Sequence, residues 1–531
     1  MKRLLQPSSS SFRPALTVLA IFGWLCATAW LRRFSAPDEG RYTGVALAML
    51  QSGDWLVPRL DGLPFFHKPP LFYWLSAASM SVFGLSEWAA RLPSVMGATA
   101  AATSLLLFLR RWSEPGIAGP ATLVLVTMPF LYVGAQFANL DMLVAGCISA
   151  TVLLAAHARL AREGGAPWRT PLAWAFVAAA AGVLAKGLIG LLLPGIVFVV
   201  WAIATRRLNA LRLLLWWPGW LLFLGLSLPW FAAMQWRYPG FCDYFVVTQH
   251  FRRFAATGFN NAQPLWFYLP VIAGLTLPWV AWLPWAARRR PARAASADID
   301  GLMLVWFVTI VVFFSIPRSK LIGYVLPALP PLAYFVARAM ARTWPAARGL
   351  GKPAAWTAWT AGLAALSCVL AVLAADRFGT PAGARLRLPA GLSVGARDQV
   401  LMLDDYRYEI PFYWQLKQPM LVASDWSDPG LPLRDNWRKE LSDAARFDPA
   451  AAGRILVPAR QVAAALCVPR VSWLLGSPAA ASAWPWLADR RRFVEVAREK
   501  DLVAWRFAGA PANGAPCDLP AGAAPPGEAA P

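Results

Sequence analysis

Histidine and cysteine are scarce in this chain, and what there is lies scattered. Three histidines and six cysteines are spread over 531 residues without a CxxC or CxxxC pair, which argues against both a zinc module and a disulfide-stapled scaffold. Cys26, Cys147 and Cys368 fall inside apolar runs, and only Cys467 and Cys517 are placed to bridge, if their region is exported. Acids are few as well, 28 against 50 lysines and arginines. The resulting formal charge of +22 would suit nucleic acid, but the basic residues come in short clusters between apolar runs, as in cytoplasmic loops. No nucleic-acid partner is expected. There is no glycine-rich phosphate loop, so no nucleotide is expected, and no internal repeat of the kind that marks many transporters.

What is abundant is apolar surface. Hydrophobic residues make up 58% of the chain, with 29 tryptophans, and the mean hydropathy is +0.46. Runs of about 17 to 23 apolar residues recur through the first 375 positions, which is the length a bilayer requires. The expectation is an all-α polytopic membrane protein with about eleven spans, at 15–31, 88–109, 119–136, 140–157, 171–184, 187–204, 211–233, 265–286, 301–317, 321–341 and 355–374. The basic start followed by ATA at 27–29 also fits a cleaved signal peptide, but the run is long enough to span and many follow it, so a retained first helix is favoured. Threading the spans alternately puts six basic clusters, from Lys2–Arg3 to Arg338–Lys352, on one face, which is the cytoplasmic one. The first loop (32–87), the loop 234–264, the turn Pro317–Lys320 and everything after about 375 then lie outside, on the extracytoplasmic face.

Three segments follow from this reading: a transmembrane domain over 1–375, a small soluble α/β domain over 376–508, and an Ala-, Pro- and Gly-rich tail over 509–531 expected to be disordered. Strand patterns in the second segment are DQVLMLDDY, GRILVPAR and RRFVEVAREKDLVAWRF. No functional residue is assigned there.

The polar island from Phe34 to Lys68 carries Asp38, Glu39, Arg41, Arg59, Asp61, His67 and Lys68. YTGVALAMLQSGDW has the spacing of an amphipathic helix lying on the membrane surface, and a carboxylate fixed before it suits a general base. Asp141, in QFANLDMLVAG, stands at the outer edge of two close spans, where a lone carboxylate is costly; it either partners a neighbouring cation or works in the site. Lys186, in GVLAKGLIG, occupies the same level, with snorkelling to the interface as its default role. Further cations on the outer face are His67 and Lys68, Arg252 and Arg253 in QHFRRF, and Lys320, followed by Tyr324, in PRSKLIGYVLP. Converging at a bilayer surface, they suit the phosphate of a lipid carrier. His67 and His250 with nearby acids are the candidate ligands of a divalent metal, zinc or magnesium or manganese, although no local spacing supports one.

APDEGRY, SGDWLVPRLDGLPFFHKPPLFYWL and FGLSEWAARLPS resemble the first external loop and following helix of the bacterial GT-C membrane glycosyltransferases related to aminoarabinose (lipid A) transferase and protein O-mannosyltransferase. QFANLDMLVAG, LAKG, QHFRRF, PLWFYLPV and RSKLIGYVLPALPPLA resemble that family's later motifs in the same order, so the likeness covers about residues 15–345. It implies transfer of a sugar, such as 4-amino-4-deoxy-arabinose or a hexose, from a polyprenyl-phosphate donor to lipid A or another envelope acceptor among the membrane lipids, on the external face. It further implies that Asp38, beside Glu39, is the catalytic carboxylate, that Asp141 is a second acid, and that Arg41, Lys68, His250 and Tyr324 hold carrier phosphate or an associated metal. The alternatives are a protein O-mannosyltransferase-like enzyme and a polyprenyl-phosphate or lipid flippase. One departure is plain: where close aminoarabinose transferases commonly have Glu before this Lys, the chain has His67.

Overall fold

A computed structural model describes residues 13–252, 261–287, 297–343, 352–509 and 519. Its first part is a bundle of apolar helices: α1 (Pro14–Cys26), α4 (Glu87–Trp112), α5 (Ala118–Val126), α6 (Pro129–Ala135), α7 (Leu140–Glu163), α8 (Arg169–Lys186), α9 (Ile189–Ala204) and α10 (Trp217–Arg237). Helical segments at Tyr268–Leu275, Trp282–Ala287, Ala297–Ser315, Leu329–Thr343 and Lys352–Gly379 complete it. By length and composition six described helices can cross a membrane, or seven if α5 and α6, bent by 62° at Thr127 and Met128, form one span. Each of the eleven expected runs coincides with apolar helix, but several are too short or too broken for a full crossing; α1 has 13 residues and α9 has 16. In the broken runs 119–136 and 265–286 the cause is visible in the chain, since Pro129 and Pro278 interrupt them.

The inner helices pack backbone to backbone. A Cβ on Gly146 would lie 2.2 Å from the carbonyl oxygen of Gly97, so α4 and α7 cross at a point where only hydrogen fits on either side. That crossing steadies the N-terminal part of α7, where Asp141 lies in the first turn. The helix Lys352–Gly379 is the least enclosed of the candidate spans among the described residues: its apolar window is 17% buried, against 72% for α4 and for α7.

Two helices sit in the first loop. α2 (Asp38–Ser52) occupies the stretch expected to lie amphipathically on the membrane, but it is buried on more than one side, through Tyr42, Val45, Ala46 and Met49 on one face and Gly40, Thr43 and Leu47 on another. Gly40 meets the Tyr408–Glu409 backbone, so α2 is clamped between the bundle and the soluble domain. α3 (Leu71–Phe83), an apolar helix of 13 residues, was not among the expected spans. Between them runs a hairpin, β1 (Arg59–Leu60) and β2 (Leu63–Pro64), closed by Asp61 and Gly62 at φ 51° and 81°, as a two-residue type I′ turn requires.

The soluble domain is a six-stranded sheet in the order β5-β4-β3-β6-β8-β7, from β3 (Gln399–Leu403), β4 (Leu421–Ser424), β5 (Leu456–Pro458), β6 (Ser472–Gly476), β7 (Phe493–Glu499) and β8 (Leu502–Phe507). The first four are parallel and the last two antiparallel. β4 and β6 escape a search for alternation because parallel strands are covered on both faces; every residue of β6 is buried. Cys467 is disulfide-bonded, and its expected partner Cys517, like nearly all of the 509–531 tail, lies outside the described residues.

Candidate active site

Asp38 and Glu39 are neighbours in the first turn of α2, where the helix dipole favours acids. Successive helical residues point about 100° apart, and the two carboxylates have separate fates. Glu39 turns into the bundle and is fully buried. It pairs with Arg32, accepts from Arg91 Nε at 2.8 Å, and accepts backbone N–H bonds from Ser35 at 2.9 Å and Ala138 at 2.8 Å. Arg91 also donates to the carbonyls of Ala29 and Arg32 at 2.7 and 2.9 Å. Burial works to raise the Glu39 pKa, but Arg32 and Arg91 outweigh it and hold the group down to about 2. Glu39, expected beside Asp38 in the catalytic pair, does not line the cavity described below, and its oxygens tie α2, α4 and the turn before α7 together.

Asp38 faces the other way. It pairs with Arg41 one turn on and accepts a 3.4 Å hydrogen bond from Asn139 Nδ2. Asn139 caps α7, accepting from the Asp141 N–H, and its Nδ2 also donates to Asp141 Oδ2 at 3.3 Å. One amide therefore sits between the two candidate acids. Asp141 is ion-paired with Lys186, whose ammonium lies 4.4 Å above the Tyr324 ring. A side chain at Gly323 would meet the Asp141 carboxylate at 2.7 Å, which explains the small residue before Tyr324.

From the other side the β1–β2 hairpin delivers Phe65, His67 and Lys68. His67 stacks on Phe65 with ring centroids 4.6 Å apart and lies 5.9 Å from Tyr244. Its Nδ1 is 3.3 Å from Oε1 of Glu440, a soluble-domain residue that also accepts from Arg41 Nη1 at 2.9 Å and from the Tyr408 hydroxyl. The hairpin is fastened to the same domain through Asp61, which accepts from the Met420 N–H at 2.7 Å. Burial pushes the Asp61 carboxyl up to about 7, although the Met420 hydrogen bond pulls the other way.

These groups surround one cavity of about 60 Å³, lined by Asp38, Arg41, Tyr42, Phe65, His67, Lys68, Asn139, Leu140, Asp141, Lys186, Leu321, Tyr324 and Glu440. It has room for a few waters. Six of the residues expected from sequence meet here: Asp38, Arg41, His67, Lys68, Asp141 and Tyr324. Three acids, Asp38, Asp141 and Glu440, share the lining with Arg41, Lys68, Lys186 and the His67 imidazole, so it offers donors for an anion and acceptors for a proton.

Lys320 does not join them. It is buried, is not part of the cavity lining, and its ammonium donates to the carbonyls of Pro317 and Gln263, the latter at 2.8 Å, so it secures the chain at that turn. Arg253 lies outside the described residues, as do the side chains of His250 and Arg252 in the helical segment Asp243–Arg252. Among the described residues no three His, Cys, Asp or Glu side chains are grouped to hold a metal ion. Sequence reasoning missed Asn139 and Glu440. The first was legible as a capping asparagine ahead of Asp141; nothing local marks the second, 399 residues from Arg41.

The model of the dolichyl-phosphate-mannose-protein mannosyltransferase family matches residues 18–245. Undecaprenyl phosphate-alpha-4-amino-4-deoxy-L-arabinose arabinosyl transferase 2 of Pseudomonas fluorescens is 32% identical over 314 residues, 57% of this chain and 52% of that protein. The corresponding transferase of Pectobacterium carotovorum is 34% identical over 322 residues, 59% of this chain and 56% of its own length. The chain thus spans about half the length of the curated relatives it matches. In three dimensions it is similar to ArnT from Cupriavidus metallidurans, solved bound to undecaprenyl phosphate, with a TM-score of 0.76 at 23% identity over 94% of this chain and 98% of that one. The apo form of that protein gives 0.74. The all-helical membrane fold with a small terminal sheet domain, expected from the sequence, is the fold observed.

Proposed function

We propose that this chain, a membrane protein with the fold and the sequence motifs of the GT-C glycosyltransferases related to aminoarabinose transferase and protein O-mannosyltransferase, moves a sugar from a polyprenyl-phosphate donor to lipid A or a related envelope glycan. The observation that carries the reading is the cavity itself, in which Arg41, Lys68 and Lys186 stand opposite Asp38 and Asp141. Its curated relatives are named for a donor of this class, undecaprenyl-phosphate aminoarabinose. The sugar is 4-amino-4-deoxy-arabinose or a hexose, and the reaction runs on the periplasmic side of the inner membrane, opposite the basic clusters.

The chemistry asks little beyond what the lining offers. The acceptor oxygen attacks the anomeric carbon as the bond to the carrier phosphate breaks, and the phosphate departs with the electron pair. Arg41 and Lys68 stabilise that charge as it develops. Asp38 takes or orients the acceptor proton. Asn139 holds Asp38 and Asp141 in register, and Asp141 keeps Lys186 at the cavity wall. At about 60 Å³ the cavity is smaller than a sugar phosphate, so donor binding widens it by parting some of these ion pairs.

The test is transfer from a synthetic polyprenyl-phosphate sugar by the purified chain, with Asp38→Asn folded and expressed at the normal level. Loss of at least a hundredfold in kcat is expected, the scale of a missing acid–base group; undiminished transfer would refute the role. The family match over residues 18–245 keeps a second acceptor class in view, the Ser and Thr hydroxyls of proteins. Mass spectrometry of lipid A and of envelope proteins, with and without the gene, separates the two. A flippase reading predicts ionisable groups along the middle of the spans, whereas here Asp141 and Lys186 stand at helix ends. Transfer by purified protein without a gradient excludes it.

A further inference from the structure

The soluble domain reaches into the cavity with one charged side chain. Glu440 lies in the first turn of the helix Trp437–Ala445, which Asn436 caps, and that helix packs on β2 of the first loop. The carboxylate is 5% exposed and takes three neighbours at once: Arg41, His67 and the Tyr408 hydroxyl. Burial and the Glu440 charge both hold the Tyr408 phenol well above its ordinary range, so it remains a donor to that carboxylate. Arg41 is thereby gripped from two domains. One terminal nitrogen goes to Asp38 of α2 and the other to Glu440, while its carbon lies 5.3 and 5.5 Å from the Tyr42 and Tyr408 rings. A guanidinium held at both ends and between two rings has one orientation, and its fork is the part that recognises phosphate oxygens.

We infer that Glu440 is a positioning residue for the transfer reaction, acting through Arg41, so that the soluble domain completes the catalytic unit rather than merely covering it. The inference rests on the glycosyl-transfer reading above. It has a signature that a simple latch between domains lacks. Removing a carboxylate makes the cavity more positive, which offsets the binding lost from a looser Arg41, so the donor KM stays level or falls. The rate still drops, because Arg41 is no longer held where the leaving charge develops; displacement of a catalytic group by about 1 Å costs up to a hundredfold.

The experiment uses the full-length chain in detergent or nanodiscs with a polyprenyl-phosphate sugar as donor. E440Q, which keeps the shape and loses the charge, is expected to lower kcat by tenfold or more with donor KM not raised, and E440D to recover part of the rate. In the Arg41→Lys background the same Glu440→Gln change should cost less than about twofold, because residues acting as one unit are not additive. Asp448→Asn removes a different link between the same two parts, the 3.3 Å contact with Arg59, and is expected to leave kcat within twofold. If E440Q does not fold, E440D carries the cycle with the same direction and a smaller drop. An unchanged kcat in E440Q, a raised donor KM, or additive losses with Arg41→Lys would overturn the inference while the transfer reading stands. A wild-type chain that transfers no sugar would overturn both.

Discussion

Replacing Glu39 by Gln separates structure from chemistry at the paired acids. In the folded chain the Glu39 pKa is held down to about 2, against 4.5 for an unperturbed glutamate, although the group is entirely buried. At about 1.4 kcal/mol per tenfold change in proton affinity, the ionised form contributes on the order of 3 kcal/mol to stability. The sign follows from the depressed value: this contribution is complete above about pH 4.5 and is lost as the pH falls toward 2. Glutamine keeps the shape but strips Arg32 and Arg91 of their counter-charge, and breaking one partner of a buried ion pair costs about 3 to 5 kcal/mol, which agrees. With an unfolding entropy of about 2 cal/mol/K per residue, the thermal midpoint of a chain this long should fall by roughly 3 °C or more. Fluorescence-detected thermal unfolding at pH 7 and at pH 4, alongside Asp38→Asn as the half-buried, cavity-facing neighbour, measures it. The reasoning fails if E39Q keeps the wild-type midpoint yet loses transfer, for Glu39 would then be a chemical group after all.

Two further outcomes follow from the same structure. Asp61→Asn should raise the thermal midpoint at pH 8 and leave it unchanged near pH 4. Its folded-state pKa of about 7 exceeds the ordinary 3.8, so the carboxyl costs stability as the pH rises through that window, and asparagine keeps the acceptor for Met420. Gly146→Ala should abolish folded protein on size-exclusion chromatography or cut transfer at least tenfold, because the added Cβ forces α7 away from α4 and carries Asp141 with it; a folded and fully active variant would contradict the close crossing.

Much of the site could be read from residue order because its parts are locally encoded. DEGRY puts acids at a helix start, the two-residue turn at Asp61 and Gly62 aims His67 and Lys68 inward, and RSKLIGY presents Tyr324 beside a glycine too small to displace Asp141. Lys320 shows where residue order runs out: expected beside the carrier phosphate from its place in an external loop, it donates to carbonyls of its own turn and a neighbouring segment and does not line the cavity. Membrane side is a coarse coordinate, and a hydrogen-bond partner is a fine one.

Residue order alone was enough to show a membrane protein, to place its apolar helices and to show which family its loop motifs resemble. Hydropathy and charge act locally and add along the chain, so these properties need no knowledge of contacts. Tertiary structure decided which of two adjacent acids faces the cavity, since a rotation of about 100° on α2 sends Asp38 to the site and Glu39 into the bundle. It also decided that Lys186 belongs to Asp141 and that the soluble domain contributes Glu440. Those pairings join residues 45 and 399 positions apart, and only the packed chain brings them within reach.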